Sequence, residues 1–143
     1  MRTINRSALL PYSDRQVFAL VNDIESYPLY MDGCVGAQVM RSEENLVEAR
    51  LDLARAGISQ SFCTRNRLQP HSVIELELVE GPFRSFSGRW DFTALGDMAC
   101  KVTLQLEFMV SNALLGAAAG KLFDSVTNNL VDALAKRAKE VYG

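Results

Sequence analysis

The sequence predicts an α+β fold in which a curved antiparallel sheet wraps around a long C-terminal helix. Three observations carry this prediction: alternating apolar and polar residues through the middle of the chain, short turns between those segments, and a change to helical spacing near Asn112. The apolar stripe of the helix must be buried, and the inner face of the sheet is the large apolar surface available to it. A sheet curved in this way tends to leave a cavity.

The first part of the chain predicts one strand and one capped helix. Residues alternate from Thr3 to Leu10, and Ser13-Asp14-Arg15-Gln16 has the spacing of a capping box. Because a proline disfavours helical geometry in the residue before it, Ser26-Tyr27-Pro28 predicts the end of this helix, with a short second helix through Met31.

Further strands follow Gly33, joined by connections short enough for hairpins. The predicted strands are Val35–Ser42, Leu46–Ala56, Ser59–Leu68, Val73–Glu80, Arg84–Leu95 and Cys100–Met109. A single helix from about Asn112 to Tyr142 ends the chain, since apolar residues there recur every three or four positions. The predicted order is β-α-α-β6-α, a helix-grip fold with a curved seven-stranded antiparallel sheet. The chain length of 143 residues suits one domain, residues 1–143.

Aromatic residues on the inner face of the sheet form the candidate ligand site. With two apolar residues of the long helix, the predicted lining is Phe62, Phe86, Trp90, Phe92, Phe108, Leu122 and Val126. Packing in an ordinary core explains these residues as well as the wall of an apolar cavity does.

The predicted strand directions also locate the mouth of such a cavity. Three segments fall at one end of the sheet: the turn at Gly57, the turn Gly81-Pro82-Phe83 and the start of the long helix near Asn112. We expect the mouth to lie between them.

Arg65 and Arg67 form the candidate contact with RNA. They are two residues apart in a predicted strand, so both side chains lie on one face and make a local basic patch. The formal net charge of −2 gives no general reason to expect nucleic-acid binding, and no DNA partner is predicted. Only a local basic patch of this kind would serve.

No catalytic set is predicted, and we expect the protein not to be an enzyme. The single histidine, His71, lies in an apparent exposed turn, so histidine-dependent triads and histidine-rich metal sites are difficult to build. Cys34, Cys63 and Cys100 show no CxxC spacing and are predicted to be reduced and buried, with no metal site. The chain shows neither a secretory signal nor a membrane-spanning run, and we expect a cytoplasmic protein.

Several segments, in order along nearly the whole chain, resemble the ribosome-association toxins of the coenzyme-Q-binding START-like family. The fold of that family is also described as START/Bet v-like or polyketide cyclase/dehydrase-like. The segments that carry the resemblance are Ser7–Ser13, Leu20–Pro28, Gly33-Cys34, Ala56–Phe62, Thr64–Asn66, Val79–Phe83, Trp90–Phe92 and Arg137–Tyr142. Tyr30-Met31-Asp32 departs from the aromatic, aliphatic and proline residues usual there, which affects the expected loop geometry.

The resemblance implies two functions, neither of them enzymatic. One is inhibition of translation by binding the large ribosomal subunit and blocking subunit association, with a small antitoxin-like protein as an implied partner. The alternative is carriage of ubiquinone or another isoprenoid lipid, which would place the protein peripherally at the inner membrane. No cofactor is required in either case. An enzyme of the polyketide-cyclase type is a third, less favoured alternative, since fold does not fix function.

Overall fold

The computed structural model describes residues 2–110 and 113–143, without the side chains of residues 113–117. Its strands are β1 (Arg2–Leu10), β2 (Cys34–Glu43), β3 (Leu46–Arg55), β4 (Ile58–Gln69), β5 (Val73–Glu80), β6 (Phe83–Ala94) and β7 (Cys100–Val110). The helices are α1 (Asp14–Asn22), a 3₁₀ helix (Ile24–Leu29), α2 (Ala113–Asn128) and α3 (Leu130–Tyr142).

The strands of the described residues form one antiparallel sheet of seven, in the order β1-β7-β6-β5-β4-β3-β2. Strands β2 to β7 are joined as successive hairpins, and β1 pairs with β7 from Arg2↔Phe108 to Leu10↔Cys100. The predicted fold class and element order are therefore confirmed. The helices cover one face of the sheet and leave the other face to solvent.

The capping box at the start of α1 forms as predicted. The backbone N–H of Gln16 donates to Ser13 Oγ at 3.2 Å, and the backbone N–H of Ser13 donates to Gln16 Oε1 at 3.0 Å. The predicted interruption at Ser26-Tyr27-Pro28 is wrong in position, because α1 already ends at Asn22 and Pro28 lies inside the 3₁₀ helix. The Tyr27 hydroxyl donates to the carbonyl of Val21, and so satisfies an acceptor that the helix end leaves open.

The predicted single C-terminal helix is also wrong in one respect, since it breaks at Asn129 into α2 and α3. Polar side chains bond to the preceding turn there: the Thr127 hydroxyl donates to the Phe123 carbonyl at 2.7 Å, and Asn129 Nδ2 donates to the Ser125 carbonyl at 2.9 Å. Such bonds compete with the helical ladder and bend helices. The predicted start near Asn112 lies outside the described residues.

An aromatic cluster fills the space between α2 and one end of the sheet. Phe123 of α2 lies at its centre, with its ring centroid 4.5 Å from that of Phe108 and 5.1 Å from that of Phe83. Phe62 and Phe86 complete the cluster with tilted or edge-to-face rings. These contacts hold α2 against the sheet, because offset aromatic pairs add stability beyond the area they bury.

Candidate functional site: an apolar cavity under the helices

A cavity of about 70 Å³ lies between the inner face of the sheet and the helices, and it is partly open to solvent. Its wall is formed by Val21, Ile24, Tyr27, Ala49, Leu51, Phe62, Thr64, Asn66, Ile74, Leu76, Phe86, Trp90, Leu104, Leu106, Phe123 and Leu130. An engineered apolar cavity of about 150 Å³ holds benzene, whereas drug-sized ligands occupy about 300–1,000 Å³. The space is therefore smaller than a cavity that holds benzene, and much smaller than the pocket of a drug-sized ligand.

Three of the predicted lining residues lie in the cavity wall, namely Phe62, Phe86 and Trp90. Phe92 packs on Phe18 of α1, with ring centroids 5.4 Å apart. The remaining residues, Phe108, Leu122 and Val126, are buried but are not part of the cavity wall. The contact of the seven predicted lining residues with a ligand stays a prediction.

The predicted mouth loops lie at the end of the sheet where the aromatic cluster is found. Gly57 is exposed in the β3–β4 turn, with φ of +81°, and a Cβ there would meet no atom within 4 Å. A Cβ on Gly81 would lie 2.7 Å from Phe62 Cβ, so this turn needs glycine for its close approach to the core. Pro82 lines an outer groove with Gly81, while Phe83 is buried in the aromatic cluster.

Two polar side chains in the cavity wall, Thr64 and Asn66, were missed by the sequence analysis. Both are on the inner face of β4 and only 7% exposed, and the Thr64 hydroxyl donates to Asn66 Oδ1 at 2.8 Å. The sequence does contain an indication of these residues. They follow Phe62 at alternate positions of the strand, so they lie on the same inner face, where apolar residues are expected.

Tyr27 gives the cavity a third polar group, but its hydroxyl is already engaged with the Val21 carbonyl. Burial, followed by the neighbouring Tyr30, raises the pKa of Tyr27 well above its ordinary value. The phenol therefore stays protonated and acts as a structural donor. No wall residue of this cavity is a carboxylate, histidine, lysine or arginine.

Arg65 and Arg67 lie on the outer face of the sheet, as predicted from their spacing, and both are paired with carboxylates. Arg65 Nε is 2.9 Å from Glu48 Oε1, and Arg67 Nε is 3.2 Å from Glu77 Oε2. A polar trough of about 530 Å³ runs across this face, and both Arg67 and Arg89 line it together with glutamates. Their role in RNA contact stays a prediction, and the surrounding carboxylates leave this face without a strong positive field.

The remaining reactive side chains are placed apart from the cavity. His71 sits in the β4–β5 turn, partly buried, with its ring edge-on to Phe18 at 5.5 Å between centroids. Among residues 2–110 and 113–143, no three histidine, cysteine or acidic side chains are grouped to hold a metal ion. Within the same ranges, no helix is long and apolar enough to cross a membrane.

Solved structures with the same architecture identify the class of fold. A START superfamily protein from Mycobacterium smegmatis superposes with a TM-score of 0.80 at 21% identity, covering 97% of this chain and 98% of that one. An aromatase/cyclase from Streptomyces sp. R1128 gives a TM-score of 0.81 at 18% identity, covering 96% and 93%. At such identities the likeness shows the helix-grip fold alone.

Sequence comparison then gives the family. A model of the polyketide cyclase/dehydrase and lipid transport family matches residues 10–135. Ribosome association toxin RatA of Vibrio cholerae is 45% identical over 143 residues, covering 100% of this chain and 99% of the relative. The same-named protein of Pseudomonas aeruginosa is 46% identical over 140 residues, covering 98% and 97%. The chain therefore belongs to the polyketide cyclase/dehydrase and lipid transport family and, within it, to the ribosome association toxins.

One more distant relative bears on the cavity. Coenzyme Q-binding protein COQ10 homolog B of Xenopus laevis is 23% identical over 144 residues, covering 97% of this chain and 59% of the relative.

Proposed function

We propose that this protein inhibits translation by binding the large ribosomal subunit and blocking its association with the small subunit. The observation that carries the proposal is the identity of 45–46% over almost the full length with proteins named ribosome association toxins. Conversion of a substrate is not part of the proposal, because the polar groups of the cavity offer neither a nucleophile–base pair nor a pair of carboxylates.

We assign the contact with ribosomal RNA to the outer face of the sheet, and to Arg67 before Arg65. The Arg67 side chain is 58% exposed and its partner Glu77 is 53% exposed, whereas Arg65 and Glu48 are 34% and 20% exposed. Exposed ion pairs are worth only about 0–1 kcal/mol, so Arg67 can exchange Glu77 for a phosphate at little cost. Arg65 is held more firmly and contributes less.

Sedimentation of separated ribosomal subunits with increasing protein tests the activity. We expect fewer assembled ribosomes and protein that travels with the large subunit. Normal assembly, with the protein remaining at the top of the gradient, would contradict the proposal.

Two single substitutions test the assignment of the surface. Arg67→Ala should weaken binding to the large subunit and lower the salt slope of the affinity by about one, since one phosphate contact is lost. Arg15→Ala is the control, because Arg15 is an exposed arginine of α1 and so lies on the helical side of the sheet, away from this face. Equal effects of the two substitutions would refute the assignment to Arg67.

A second candidate function is the binding of an apolar molecule, for which ubiquinone is the leading ligand. The apolar cavity supports this function. It is also supported by the relative of 23% identity that is named a coenzyme Q-binding protein. Native mass spectrometry after gentle purification tests this function. Absence of any retained lipid, together with no saturable binding of a short-chain ubiquinone, would reject it.

A further inference from the structure

The arginines on the outer face of the sheet have their charges compensated by carboxylates. Five of them lie 2.6–3.2 Å from a carboxylate oxygen, namely Arg41, Arg50, Arg65, Arg67 and Arg89. A phosphate that contacts this face must compete with those carboxylates for the arginines. The edge of the sheet beside α2 differs in this respect, because β1 contains two arginines and no acidic residue.

Arg6 extends from β1 to α2, where it contacts a neutral side chain. Its Nε and Nη2 atoms donate to Asn128 Oδ1 at 3.4 Å and 3.1 Å. Asn128 is held in turn by Asp124, because Asn128 Nδ2 donates to Asp124 Oδ2 at 3.2 Å. No ion pair in the described part of the chain includes Arg6. The guanidinium is therefore held in place without a direct carboxylate partner, and it keeps N–H donors for an anion.

Two more cations lie along the same edge. A Cβ on Gly120 would be 3.6 Å from Arg2 Cζ, so the Arg2 guanidinium lies against α2 where the helix has no side chain. Lys121 follows directly and is exposed. Arg2 Nη1 is 3.8 Å from Asp124 Oδ2, and Asp124 is the only acidic residue of the segment 108–131. The three cations of this edge therefore share one carboxylate.

We propose that Arg2, Arg6 and Lys121 form a second contact with ribosomal RNA, at the edge where β1 meets α2. Arg2 and Arg6 are about 13 Å apart at 3.3 Å per residue of strand, so they reach different phosphates. Arginine suits this ligand because its planar guanidinium donates two N–H groups to one phosphate. The inference rests on the proposed function, binding to the large subunit, and it adds the β1–α2 edge to the surface assigned to Arg67.

The salt dependence of the affinity for isolated large subunits tests this edge. Potassium chloride would be varied at constant magnesium, so that the subunits stay intact. Arg6→Gln should lower the slope of log affinity against log salt by about 0.7–0.9, since one phosphate contact is lost. Lys121→Gln should lower it by a similar amount, and the double variant by about twice as much.

Arg15→Gln is the matched control. Arg15 is also exposed, and no ion pair among the described residues includes it, but it belongs to α1, which follows the far end of β1. The substitution removes the same charge, so an effect of total charge alone would appear equally in both variants. We expect the slope of Arg15→Gln to equal that of the wild type.

The outcomes separate this inference from the function on which it rests. Wild-type binding with the same slope in Arg6→Gln, Lys121→Gln and Arg15→Gln would overturn the β1–α2 edge and leave ribosome binding intact. A wild type that does not bind large subunits would overturn both. A weaker affinity of Arg6→Gln at an unchanged slope would indicate a ribosomal protein as the contact and overturn the assignment to RNA, because the slope reports counterions released from phosphates.

Vesicles of phosphatidylglycerol and phosphatidylcholine distinguish a lipid surface from RNA. Weaker binding of Arg6→Gln to these vesicles, with an unchanged slope at the large subunit, would overturn the assignment to RNA in favour of anionic lipid. A lower slope at the large subunit in Arg6→Gln, absent from Arg15→Gln, supports the inference.

Discussion

The two faces of the sheet are built from alternate residues of the same strands, yet they depend on different forces. On β4, Phe62 faces inward and packs against the rings of Phe83 and Phe123. On the same strand, Arg65 faces outward and pairs with Glu48 across to β3. The inner face contributes apolar burial, at about 25 cal/mol per Å², whereas exposed ion pairs contribute about 0–1 kcal/mol each. Stability should therefore reside on the inner face, leaving the outer face free to serve recognition.

The largest effect that this comparison predicts is at Phe108, which is fully buried at 0% exposure. Phe108→Ala should lower the free energy of unfolding by about 3–5 kcal/mol, because it removes a ring and leaves a void beside Phe123. Urea denaturation measures the change. Leu9→Ala is the control, since Leu9 is 71% exposed and should change the free energy by about 0.5 kcal/mol or less. Similar losses of unfolding free energy in the two variants would contradict the expectation that stability resides on the inner face.

Thr64 and Asn66 are the polar exception on the inner face, and replacing both tests the comparison more finely. The double variant Thr64→Val/Asn66→Leu should leave the free energy of unfolding unchanged or raise it by about 1 kcal/mol, because both partners of the 2.8 Å hydrogen bond are replaced together by apolar side chains. Thermal and urea denaturation would measure the change. A clear loss of stability would contradict this expectation and would show that the hydrogen bond between Thr64 and Asn66 stabilises the inner face.

A buried thiol on β7 gives a pH-dependent test of the inner face. Burial, with a smaller contribution from Asp14, raises the pKa of Cys100 from 9.0 to about 11. The unfolded chain loses its thiol proton first as the pH rises, so the stabilising contribution of the neutral thiol is complete below about pH 9 and is lost towards pH 11.

The measurement is the free energy of unfolding between pH 8 and pH 11, for the wild type and Cys100→Ala. The wild type should lose stability more steeply, because the variant lacks this ionisation. Parallel curves would show that Cys100 ionises equally in the folded and unfolded chains.

The smallest effect is expected on the outer face. Arg89→Ala removes ion pairs to Asp91 at 3.0 Å and Glu75 at 3.3 Å, yet it should change the free energy of unfolding by less than about 1 kcal/mol. The difference should shrink further at high salt, because exposed charges are screened. A loss comparable with that of Phe108→Ala would show that the outer ion pairs also hold the sheet together.

The breaks between helices show how far local sequence patterns predict this fold. Pro28 pointed to an interruption, but the helix ends earlier, at Asn22, where the Tyr27 hydroxyl returns to the Val21 carbonyl. The apolar spacing of the last helix continues through Asn129 although the helix does not. Hydrogen bonds from side chains to backbone carbonyls accompany both breaks, and apolar periodicity does not indicate such bonds.

The sequence alone determined the element types, their order and the separation of the two faces. Side chains alternate between the two faces of a strand and return to the same face of a helix every 3.6 residues. Each segment therefore shows its own pattern without reference to the rest of the chain. It also determined that Phe62 and Trp90 face inward and that Arg65 and Arg67 share the opposite face. The segment Thr64–Asn66 was noticed only as part of a family resemblance.

Tertiary structure decided which inward residues surround empty space and which charges meet. The cavity is the volume left after α2 and the sheet have packed, so it depends on the shapes of residues distant in the chain. Phe108 and Phe62 are both inward aromatics, but only Phe62 reaches the cavity wall. The partners of Arg67 and Asn66 are likewise set by strand register and side-chain orientation. Such long-range relations arise only when the chain has folded, because no local period specifies them.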